Sequence, residues 1–88
     1  MRVMLLIMVL VFSAVSAFGG EDIKMYEKAV RMNPDSADAH NKLGLALYNK
    51  GQYDEAIKEF NKALKINPEH ANAHYNLMNA RVKKGLIE

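Results

Sequence analysis

The feature that most constrains this chain is a period of 34 residues. Its two prolines, Pro34 and Pro68, stand 34 apart, and so do Gly51 and Gly85, His40 and His74, Leu43 and Leu77, and Lys50 and Lys84. Sliding residues 19–54 over 53–88 aligns 36 pairs, of which 14 are identical, against roughly two expected from average composition. Conservative pairs fill in between: Tyr26/Phe60, Val30/Leu64, Arg31/Lys65, Met32/Ile66 and Asp35/Glu69. A fixed period of this size marks an array of supersecondary units, each needing a neighbour to cover its apolar face.

Within one period the pattern is two helices. From Asp38 to Lys50, Ala39, Leu43, Ala46 and Leu47 fall on one helical face. Gly51 supplies the left-handed residue that commonly ends a helix, and Gln52-Tyr53-Asp54 reads as the turn. From Asp54 to Ile66 a second stripe runs through Ala56, Ile57, Phe60, Ala63 and Leu64. Pro68 stops it, because proline lacks an N–H and restricts the residue before it. Residues 20–32 repeat the second helix upstream, and residues 71–84 repeat the first downstream. No stretch alternates with the period of a strand.

The stretch Asp35 to Pro68, DSADAHNKLGLALYNKGQYDEAIKEFNKALKINP, resembles one complete tetratricopeptide repeat. With Ala37 as the first consensus position, Leu43, Gly44, Gly51, Tyr53, Ala56, Phe60, Ala63 and Pro68 match the family pattern. His40 stands where the family often has Trp, and Leu47 where it often has Tyr. The resemblance implies an all-α fold, a short right-handed helical-repeat solenoid with helices in the order B, A, B, A. It also implies that Gly44 and Ala56 are small because two helices cross there, and that Tyr53 and Phe60 fill the space between repeats.

Departures from the pattern gather at the two edges. Asp22 stands in for Ala56 and Gly19 for Tyr53 upstream; Met78 stands in for Gly44 and Arg81 for Leu47 downstream. These positions would face a further helix on either side, so the expectation is a short unit with relaxed ends. Leu77, Met78 and the Leu86-Ile87 pair are expected to be poorly covered, which suggests self-association end to end through the helix at 71–84.

Residues 1–17, MRVMLLIMVLVFSAVSA, are almost unbroken apolar sequence behind Arg2 and hold 14 of the chain's 44 hydrophobic residues. The continuous run Val3–Phe12 is short for a bilayer, which needs about 20 residues. Val15 and Ala17 suit the short-side-chain pocket of a signal peptidase. The reading is a signal peptide over 1–17, a repeat domain over 18–88, and a protein exported to the periplasm or secreted. The alternative is an uncleaved helix that tethers the chain to the membrane.

Chemistry is sparse. Cys, Thr and Trp are absent, which excludes disulfides and thiolate nucleophiles or ligands. Beyond residue 17, 11 Lys and Arg face 10 Asp and Glu, so nothing in the charge balance suggests nucleic acid or anionic lipid. His70 and His74 have the i, i+4 spacing of paired metal ligands, but a third ligand is missing and His74 is the mate of a packing position. Ser36 reads as a helix N-cap. No enzyme, cofactor or metal is expected.

What remains is a protein-binding surface. The resemblance implies that first helices line a concave groove, at Asn41, Lys42, Leu45, Tyr48 and Asn49 on one helix and Tyr75, Asn76, Asn79, Val82 and Lys83 on the next. Amides, tyrosines and lysines suit a peptide or protein partner. Some family members grip a terminal carboxylate with lysines and asparagines from three repeats. Only Asn76 matches that set.

Overall fold

The computed structural model describes residues 23–87, and the signal-peptide reading of 1–17 lies outside them. The described residues form four helices and no strand: α1 over 23–32, α2 Ala37–Asn49, α3 Tyr53–Ile66 and α4 Ala71–Ile87. Among these residues, no helix is long and apolar enough to cross a membrane.

Each boundary has a local cause. Ser36 caps α2, its hydroxyl accepting the Ala39 N–H at 3.1 Å. At the other end Gly51 takes φ +82°, and two N–H groups close back on the helix: Gly51 onto the Tyr48 carbonyl and Gln52 onto that of Leu47, both at 2.9 Å. This pairing satisfies carbonyls that the last turn would otherwise leave open. The turn to α3 is therefore Lys50–Gln52, the same length as the sequence suggested but set earlier in the chain, since Tyr53 and Asp54 already belong to α3. Tyr48 and Tyr53 meet across it edge to face, with ring centroids 5.4 Å apart.

Contacts along the α2–α3 pair run antiparallel, from Tyr48 and Tyr53 beside the turn to His40 and Glu59 far from it. Between them Gly44 lies against Phe60. A Cβ built on Gly44 would stand 2.6 Å from the Phe60 ring, so this crossing admits only glycine without a shift. The small residue predicted there is required by the wall it faces.

The core is Leu43, Leu47, Ala56, Phe60, Leu77 and Ala80, with Ile23, Tyr26 and Val30 of α1 packed against it. Leu77 corrects the expectation of an uncovered apolar residue, because it is only 6% exposed. Its position in the repeat looks back at the preceding helix, and α3 supplies that cover. Met78, Leu86 and Ile87 do stay open, at 66%, 74% and 72%. Gly85 does not end α4, which continues to Ile87. Among the described glycines only Gly51 has a positive φ: the residue permits a left-handed turn, and the returning α3 with its tyrosine pair makes use of it.

Candidate protein-binding groove

The groove forms where α2 and α4 lie side by side. They run in the same sense, since Asp38 meets His70 and Asn41 meets Asn76. The Asn76 amide N–H donates to Asn41 Oδ1 at 3.0 Å, and Asn41 is nearly buried. That bond fixes the spacing of the two helices and commits half of each amide to the scaffold.

Below this lock a pocket of about 170 Å³ opens between Leu45 and Tyr48 on α2 and Tyr75, Asn76 and Asn79 on α4. Leu45 and Tyr75 offer their side chains to solvent, at 40% and 67% exposure. Tyr48 is half-buried, braced from behind by Tyr53. Asn79 is half-buried and makes no side-chain hydrogen bond within the described residues, so its donor and acceptor are both available. Five of the ten residues singled out from the sequence thus share one concavity. Asn41 supports it from beneath. Lys42 lies in a different cleft, between α1 and α2, and Lys83 is exposed on α4 outside the pocket lining. Asn49 and Val82 are exposed and outside it too.

The histidines carry contacts that spacing alone did not reveal. The His40 Nε2 lies 2.7 Å from the Pro34 carbonyl, and Nδ1 lies 2.8 Å from Glu59 Oε2, which also accepts from Lys62 at 3.0 Å. His40 is 5% exposed, so the position that packs a bulky ring in the resemblance here packs a hydrogen-bonded one. His74 repeats the loop contact, Nε2 to the Pro68 carbonyl at 2.6 Å, but is exposed and not packed as its position implied. Among the described residues, its second ring nitrogen has no counterpart of the Glu59 contact that His40 makes. His70 is the mate of Ser36 and caps α4 with its ring: Nδ1 accepts the Ala73 N–H at 3.1 Å, and Nε2–H donates to Asp38 Oδ1 at 2.6 Å. The capping ring and its reach to Asp38 show only in three dimensions. Among the described residues no three His, Asp or Glu side chains converge on a metal-sized space.

Comparison with protein families agrees with this architecture. One family model, described as TPR repeat, matches residues 46–85, and a second, described as tetratricopeptide repeat, matches 25–58. The chain belongs to the tetratricopeptide repeat family. The two matches together run from α1 into α4 and overlap over residues 46–58, the end of α2 and the start of α3, so the family pattern reaches every described helix. No curated relative matches the chain. Tetratricopeptide repeats generally mediate protein–protein interaction, and their families are typically non-catalytic.

Proposed function

We propose that this tetratricopeptide chain is an exported interaction module that holds an extended segment of a protein partner across the α2–α4 groove. The observation that carries this reading is the pocket at Leu45, Tyr48, Tyr75, Asn76 and Asn79. Its tyrosines cover an apolar side chain, and the Asn79 amide can pair with a peptide backbone beside it. Lys42 lines the α1–α2 cleft and Lys83 is exposed outside the pocket lining, so neither carries this reading. Export rests on the sequence of residues 1–17, with Arg2, the apolar run and the small residues before Phe18.

One experiment examines both parts. The full chain, expressed with a C-terminal tag, is recovered from cell envelopes and its bound proteins are identified by mass spectrometry. The expected N-terminus is Phe18, and the expected partner set is lost in the double variant Tyr75→Ala, Asn79→Ala while the helical circular dichroism stays unchanged. An N-terminus at Met1 would mean a tether in place of a cleaved signal. Partners that survive the double variant would move the binding surface elsewhere.

A second reading is self-association through α4, favoured by the exposure of Met78, Leu86 and Ile87. It expects a thermal midpoint that rises with concentration; a constant midpoint over a hundredfold dilution would remove it.

A further inference from the structure

The internal repeat allows an open surface to be compared with a filled copy of itself. A cleft of about 400 Å³ lies between α1 and α2, lined by Met25, Tyr26 and Ala29 on one side and Ser36, Ala39 and Lys42 on the other. One period later the same positions are Glu59, Phe60 and Ala63, then His70, Ala73 and Asn76. There the cleft is filled, and what fills it is α2. His40 reaches Glu59, Gly44 lies on Phe60, Asp38 reaches His70, and Asn41 reaches Asn76. Ala63 and Ala73 are consequently fully buried, whereas Ala29 and Ala39 are only half covered. The α1–α2 cleft is an α2-shaped seat lined by altered residues.

We infer that this cleft binds an amphipathic helix from a protein partner, distinct from the groove ligand, whose chemistry follows from those alterations. Met25 replaces Glu59, so the residue at the His40 position of the incoming helix is apolar. Lys42 replaces Asn76, so the next residue is acidic, where Asn41 was an amide. Tyr26 replaces Phe60 and leaves no more room, so the residue three further on is glycine. The helix therefore reads apolar, acidic, two intervening residues, glycine.

The same criterion excludes the chain's own candidates. A second copy offering α4 in this register brings Met78 to the glycine position, with Tyr75 in place of an acid. Residues 3–15, one period before α2, bring Leu10 to the glycine position and Ile7 to the acidic one. Both place a large side chain against Tyr26, at the position where, one period later, a bare Cβ on Gly44 would stand 2.6 Å from the Phe60 ring.

The probe is a synthetic peptide copying residues 36–50 with H40L and N41E, titrated into the isotope-labelled chain and followed by NMR. Shifts are expected at Met25, Ala29, Ala39 and Lys42. Lys42→Glu should weaken binding about fivefold, the worth of a partly exposed ion pair, and a peptide carrying H40L and N41K should restore it. A peptide that also carries G44L should not bind, and Ala29→Trp should block the cleft. Shifts on α3 and α4 in place of the cleft, or affinity indifferent to Lys42, would overturn the proposal. So would a dimer of the chain that disappears in Ala29→Trp, which would give the cleft to a second copy.

Discussion

Residues one period apart in this molecule are often identical and rarely in the same surroundings. His40 and His74 both hold a proline carbonyl six residues upstream, yet one is buried against Glu59 and the other is exposed. Gly44 is pressed on a phenyl ring, while Met78 at the same position points into open space. Gly51 turns the chain with φ +82°, and Gly85 is passed over by a helix. Local chemistry is thus set by the residue and its near neighbours along the chain. Burial is set by whichever helix packs from the next half-unit. A repeat sequence specifies the first twice and the second only where the neighbour is present.

The sharpest way to break this comparison is to exchange the mates at the helix crossing. Gly44→Met should destabilise the fold by about 3 kcal/mol or more, since a long side chain must enter space that a Cβ already overfills. Met78→Gly should cost less than about 1 kcal/mol, the difference in helix propensity. Urea unfolding followed by circular dichroism reads both, and equal losses would mean that Met78 is covered after all.

Next in size come the histidines. His40→Ala strips the largely buried Glu59 of its principal partner and should cost about 1–3 kcal/mol. His74→Ala, at an exposed site, should cost about 0.5 kcal/mol or less. A loss at position 74 matching that at position 40 would show that the loop contact, shared by both, outweighs the Glu59 pair.

Smallest and opposite in sign are the glycines. Gly51→Ala should destabilise by about 1 kcal/mol, because alanine is strained at that φ. Gly85→Ala should stabilise by about 0.5–1 kcal/mol, since it removes a flexible residue from within a helix and meets nothing within 4 Å. Thermal melts of the two variants should move in opposite directions.

Much of the fold could be read from spacing. The period, the Ser36 cap, the Gly51 turn and the need for a small residue at 44 all follow from i, i+3/i+4 patterns and turn chemistry within one chain segment. Spacing failed where the question was which neighbour covers a position. Leu77 was expected to be open because it lies on a terminal helix, but its face looks back to α3 and not outward. Residues 71–84 were expected to repeat the first helix, but α4 runs on through Gly85 to Ile87. Of the groove positions named from the repeat pattern, five line one pocket between α2 and α4. Lys42, named with them by resemblance, lies less than one turn from Leu45 on α2 but lines the α1–α2 cleft. The Glu59 and Asp38 contacts of the histidines span 19 and 32 residues, beyond any helical periodicity.

The histidine–proline contact spans only six residues, and it appears in both copies although one histidine is buried and the other exposed. Closing so short a loop demands little chain entropy, so it can form early and without waiting for distant segments to meet. A 34-residue segment that carries its own fastening of this kind arrives already joined at its corner when it is duplicated. Such a segment is suited to being copied, because each new copy needs only a surface to lie against.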